Sequence, residues 1–182
     1  MLPPPPRCEK VFTDTYYDTA NYKLTTKDIW LRERDGKWEL KMGLNENGKR
    51  IADQYDEIEN EADIRSALKL PASGELRGVL AANGYEAFCV CKTTRRKYRK
   101  NDFIIDLDAV DYSDFSYSLG EIELLVNEKF EIGGAIAKIL EFAKAYNLTI
   151  APVRGKGVEY LKRKKPEHYR ALIAAGVVEE TP

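Results

Sequence analysis

The chain has 182 residues, 29 basic against 30 acidic, a net charge of −1 and a 43% hydrophobic share. That composition allows a folded core and argues against whole-chain disorder. It also gives no global reason to bind nucleic acid or an anionic membrane. No run of about 18 apolar residues offers a membrane span.

The N-terminal "MLPPPPRCEK" lacks the apolar stretch of a secretory signal. Residues 1–10 are expected to be extended or disordered, 11–175 to form one domain, and 176–182 to be a tail. "VFTDTYYDT" (11–19) is rich in Val, Thr and Tyr and reads as a strand. After the connection "ANYKLTTKD" (20–28), "WLRERDGKWELK" (30–41) reads as a hairpin turning at Asp35 and Gly36. "GLNENGKR" (43–50) reads as a loop and "IADQYDEIEN" (51–60) as a strand. "EADIRSALKL" (61–70) has helical spacing, with Pro71 expected to end it. "GELRGVLAANG" (74–84) is a second short helix. Strands are expected at 85–100, 103–110 and 117–126, a helix at 133–147, and a basic, partly helical tail over 155–175 broken by Pro166. Strands and helices segregate along the chain, which indicates an α+β fold.

The three cysteines, Cys8, Cys89 and Cys91, have no disulfide or zinc spacing, so free thiols in a reducing, cytoplasmic compartment are expected. The single histidine, His168, makes a histidine zinc site or a Ser-His-Asp triad an unpromising reading. It sits in the basic tail and is expected to be exposed.

Side chains two apart on a strand share a face. In the hairpin, Leu31, Trp38 and Leu40 therefore form an apolar face, and Arg32, Arg34, Glu39 and Lys41 a charged one. Asp106 and Asp108 share a face opposite Phe103, Ile105 and Leu107. Glu121 and Glu123 share a face opposite Ile122 and Leu124. Arg95 and Lys97 are co-facial, as are Glu57 and Glu59. A half-solvated sheet would give the same alternation. The charges, however, segregate by sign: cations at Arg32, Arg34, Lys41 and Arg95, carboxylates at Asp106, Asp108, Glu121 and Glu123. Clustered carboxylates without His or Cys select hard cations such as Mg²⁺ or Mn²⁺, and clustered cations suit a polyanion. Neither a P-loop nor a dinucleotide-binding glycine motif is present. "RGKG" (154–157) is a weak phosphate-loop candidate. Trp30 and Trp38 are candidates for stacking on an organic ring, although Trp38 falls on the apolar face.

The pieces "DTYYDT" (14–19), "WLRER" (30–34), "WELK" (38–41), "YDEI" (55–58), "TTRRKY" (93–98), "IDLD" (105–108), "GEIE" (120–123) and "GKGVEYL" (155–161) follow in order along the chain. In that order they resemble the CYTH superfamily, the triphosphate tunnel metalloenzymes, and within it the vertebrate-type thiamine triphosphatase branch. The resemblance implies an antiparallel β tunnel with helices packed outside. It implies Mg²⁺-dependent hydrolysis of thiamine triphosphate to thiamine diphosphate and phosphate. Arg32, Arg34, Lys41, Arg95 and Lys156 then look like triphosphate ligands. Asp106, Glu121 and Glu123 look like metal ligands, with Glu57 and Asp108 as lining partners. Tyr16 and Lys41 look like the pair that activates water, the lysine lowering the phenol pKa. The partner implied is a small-molecule triphosphate bound by a monomer, with no nucleic acid or membrane. The family also opens with an E-x-E-x-K strand, which is expected to be missing here because Glu9 and Lys10 lack its spacing. Alternatives are a catalytically impaired triphosphate binder, or a hydrolase of inorganic triphosphate.

Overall fold

A computed structural model describes residues 8–44, 55–128, 131–150 and 153–179. The Pro-rich residues 1–7, most of the loop expected at 43–50, the start of the strand expected at 51–60 and the last three residues lie outside the described residues. The described chain forms two compact units, residues 13–91 with 154–182, and residues 1–12 with 92–153. Strands β1 (Cys8–Thr19) and β5 (Tyr85–Lys100) contribute residues to both. With β2 (Ile29–Arg34), β3 (Lys37–Gly43), β4 (Tyr55–Ile58), β6 (Phe103–Asp111) and β7 (Ser116–Glu123) they form a sheet in the order β4-β3-β2-β1-β5-β6-β7. Residues 8–10 thus belong to β1.

In the unit of residues 13–91 and 154–182, the hairpin β2-β3 turns where the sequence predicts. Asp35 and Gly36 have φ of 47° and 83°, the double left-handed geometry that matches strand twist. Leu31 and Leu40 face each other across the ladder and are fully buried. They pack with Ile64, Leu68, Leu76 and Leu80 of helices α1 (Glu61–Leu68) and α2 (Leu76–Ala82), and with Tyr17. Trp38 rests on this core, 5.0 Å from the Tyr17 ring. Asn60 caps α1 by accepting from the Ala62 and Asp63 N–H groups. Pro71 does not end that helix. Lys69, left-handed at φ 56°, stops it two residues earlier and sends its N–H back to the Arg65 and Ser66 carbonyls.

Two helices close the chain, α4 (Lys156–Lys164) and α5 (Pro166–Ala174). Pro166 opens α5, where its missing N–H costs nothing. His168 is not exposed: it keeps 4% of its surface. Its ring stacks on Tyr22 at 3.9 Å, meets Phe88 edge-on at 5.1 Å, and lies 2.6 Å from the Thr25 hydroxyl. The basic residues around it carry its helix at the surface while the imidazole turns inward.

In the other unit, the C-terminal part of β5 with β6 and β7 forms an antiparallel meander, and Phe103 packs on Phe142 of helix α3 (Ile132–Ala145) at 4.4 Å. The alternation expected in β6 holds, but its buried face is the charged one. Asp106 and Asp108 are buried, while Leu107 is 45% exposed.

Candidate functional site

The charged face in residues 13–91 and 154–182 is laid out in three cross-strand rows. Register places Asp14 beside Arg34, then Tyr16 beside Arg32 and Glu39, then Trp30 beside Lys41 and Glu57. Helix α4 adds Lys156 and Gly157 to this face.

In the first row Arg34 grips Asp14 with two parallel bonds, Nε to Oδ1 at 2.7 Å and Nη2 to Oδ2 at 3.0 Å. Lys156 Nζ donates to the same Oδ2 at 2.9 Å. Asp14 is fully buried. Burial alone would raise its pKa, but the Arg34 bonds and the Lys156 and Arg32 charges hold it at about 2.

In the second row Arg32 Nη2 donates to Glu39 Oε2 at 2.9 Å. Burial works against the guanidinium's charge, but the Glu39 and Asp14 carboxylates over-compensate and keep it protonated. Burial raises the Glu39 pKa, but Arg32 and Lys41 bring it below the ordinary carboxylate value. Arg32 Nε is buried and has no hydrogen-bond partner among the described residues. An unmet donor on a charged group is costly inside a protein and marks a place for an acceptor. Tyr16 is buried, and desolvation pushes its phenol well above the usual value while the Arg32 charge pulls the other way. The expected lowering of the phenol pKa is therefore not what the site produces. Across the ladder, Arg32 rather than Lys41 is the cation opposite Tyr16, because the strand register puts Lys41 opposite Trp30.

In the third row Lys41 bonds Glu57 and lies 3.6 Å from Glu39. Trp30 is buried and donates from Nε1 to Asp28 at 3.0 Å. Gly157 makes room for it: a Cβ there would sit 2.9 Å from Trp30 Cζ3.

The carboxylates expected to hold metal lie in the other unit, gathered on Arg95. Its Nε and Nη2 donate to Asp108 at 2.7 and 2.8 Å, and Nη2 reaches Glu121 at 3.3 Å. Nη1 pairs with Asp106, and Lys97 Nζ lies 3.4 Å from it. Neither approach to Asp106 has hydrogen-bond alignment, so both of its buried carboxylate oxygens lack a hydrogen bond among the described residues. Glu121 stands opposite Asp106 on the ladder. Glu123 is raised above the ordinary carboxylate value, first by burial and then by Asp106 and Glu121. An all-oxygen donor set with unsatisfied buried oxygens fits a hard divalent cation. Among the described residues, though, no three such groups converge closely enough to hold one.

The structure therefore gathers Arg32, Arg34, Lys41, Glu57, Lys156 and Tyr16 on one face, and separately Arg95, Asp106, Asp108, Glu121 and Glu123 on another. Sequence reasoning missed Asp14 and the placement of Trp30 beside the cations. The signal was available: Asp14 shares the parity of Tyr16, and Trp30 that of Arg32.

A protein-family model, the CYTH domain, matches residues 7–150. The thiamine-triphosphatase of Homo sapiens is 29% identical over 94% of this chain and 80% of its own length. A crystal structure of a candidate adenylate cyclase from Bacillus halodurans superposes with TM-score 0.51 at 15% identity, over 86% of this chain and 83% of that one. A chain of the Mediator head module from Schizosaccharomyces pombe gives 0.52 at 10% identity, covering 78% and 83%. Those two likenesses concern the fold alone, which is the α+β, antiparallel CYTH type. With its matching model spanning well over half of the sequence, the chain belongs to the CYTH domain family.

Proposed function

We propose that this chain is a triphosphatase that hydrolyses thiamine triphosphate to thiamine diphosphate and phosphate, with Mg²⁺ as cofactor. The observation that carries the reading is the Arg32 guanidinium, buried, charged and holding an Nε donor that meets no acceptor among the described residues. A phosphate oxygen is the acceptor such a donor suits. Similarity to the Homo sapiens enzyme supports the choice of substrate.

In this reading Arg32, Arg34, Lys41 and Lys156 bind the triphosphate. Each of these cations starts with a carboxylate partner, Glu39, Asp14 or Glu57, which keeps it in place before substrate arrives. Mg²⁺ is assigned to the carboxylates Asp106, Glu121 and Glu123, with Asp108 beside them, which must draw closer together to hold it; when bound it would neutralise phosphate charge. Tyr16 and Lys41 are assigned to the attacking water. Burial keeps the Tyr16 phenol protonated, so its hydroxyl orients the water, and no preformed phenolate takes part. Positioning and charge neutralisation then do most of the work, as phosphoryl transfer requires. Three free cysteines suit a reducing cytoplasm, and a monomer suffices. Among the described residues no helix is long and apolar enough to cross a membrane.

The test is a substrate comparison with purified protein and Mg²⁺. The proposal predicts a higher kcat/KM for thiamine triphosphate than for inorganic triphosphate. A preference for inorganic triphosphate would replace the substrate assignment.

A further inference from the structure

Asp14 stands out among the charged groups because its desolvation is costly and an apolar side chain would avoid that cost. Its carboxylate is fully buried. It bonds two cations from distant parts of the chain, Arg34 in β2 and Lys156 in α4. Buried ion pairs are expensive to desolvate, and apolar replacements commonly serve stability as well or better. Such a network suggests a need to hold the cations themselves.

The surroundings fix the carboxylate from both sides. Next to Asp14, the Thr13 N–H donates to Asp35 Oδ1 at 2.9 Å and the Asp35 N–H returns to the Thr13 carbonyl at 3.2 Å. This ties β1 to the hairpin turn. On the other side, Glu159 is buried one turn into α4 and accepts from Arg154 and Arg163, each at 2.6 Å. That clamp fastens the turn carrying Lys156. The two-point grip of Arg34 fixes the plane of its guanidinium, which a single contact would not.

We propose that Asp14 is a positioning residue of the triphosphate site: its buried carboxylate fixes Arg34 and Lys156 in the orientation that meets the phosphates, without touching substrate itself. The proposal rests on the triphosphatase reading above. Charge makes the consequence distinctive. A carboxylate near a polyanion opposes binding, so removing its charge while leaving the cations in place should tighten binding and spare kcat. Removing a positioning group should instead lower kcat, because misplaced ligands lose alignment with the reacting phosphate.

The experiment compares wild type with Asp14→Asn, a near-isosteric change, in kcat, KM, binding of inorganic triphosphate by calorimetry, and the ¹⁵N NMR resonance of Arg34 Nε. The expected result is a kcat about 10–100-fold lower with KM within about threefold, and loss of the sharp Arg34 Nε resonance. An unchanged kcat, with or without tighter binding, would overturn the proposal, as would a loss of activity matched by an equal loss of folded protein. If Asp14→Asn does not fold, wild type decides: a freely rotating Arg34 guanidinium in the ligand-free protein overturns the proposal, and hindered rotation supports it. Wild type that binds inorganic triphosphate but hydrolyses no triphosphate sinks the triphosphatase reading. The Arg34 resonance of the two proteins then still judges the role of Asp14.

Discussion

Single side chains on the charged face carry opposite kinds of cost. Arg32 holds a buried donor that is unmet among the described residues, so Arg32→Ala should weaken triphosphate binding by about 1.5–3 kcal/mol, the range for a charged hydrogen bond. Calorimetry with inorganic triphosphate measures this, and an unchanged Kd would remove Arg32 from the site. Asp14 has the reverse signature, a fully met carboxylate whose pKa is held at about 2 against an ordinary 3.8. An acid depressed on folding stabilises above its unfolded pKa and loses that contribution as pH falls through the folded value. The window here runs from about pH 4 down to about pH 2, and the amount is roughly 2 kcal/mol. Urea unfolding of wild type and Asp14→Asn should show a stability gap at pH 6 that narrows by that amount near pH 2. A gap independent of pH would mean that the carboxylate is not ion-paired.

At the scale of elements, the hairpin was legible because its signals are local. A two-residue turn with Gly at its second position and strict alternation on both arms leaves one register. Helix α5 shows what local signals miss. "KRKKPEHYR" reads as solvated because six of its nine residues are charged at neutral pH, yet His168 is buried against Tyr22, Thr25 and Phe88, all distant in sequence. Burial lowers its pKa, with Asp18 opposing and Lys165 reinforcing the shift. A histidine depressed on folding favours the neutral form, so stability falls as pH drops below about 6.5. His168→Phe should flatten that part of the pH–stability curve, and an unaltered slope would contradict the burial of a neutral ring. Helix α4 depends on Gly157 for its approach to Trp30. Gly157→Ala should destabilise by about 1–3 kcal/mol as the methyl forces the indole aside, readable as a shift in urea midpoint and in tryptophan fluorescence.

For the whole molecule, alternation and order of motifs sufficed to place the chain among CYTH domains, because charged faces repeat in several strands. Alternation could not say which face would be buried. In β6 the carboxylates turned out to be the enclosed residues and Leu107 the exposed one, since pattern fixes the period of a strand but not the side its neighbours cover. It could not reveal the pairing that holds each cation either, because Asp14 meets Lys156 across 142 positions of sequence. The central claim, that these charges serve triphosphate hydrolysis, is tested most directly by phosphate release from thiamine triphosphate with purified protein, with Mg²⁺ and with a chelator. The account predicts release that requires Mg²⁺ and falls strongly in Arg32→Ala. Absence of release from wild type while it still binds inorganic triphosphate would contradict it.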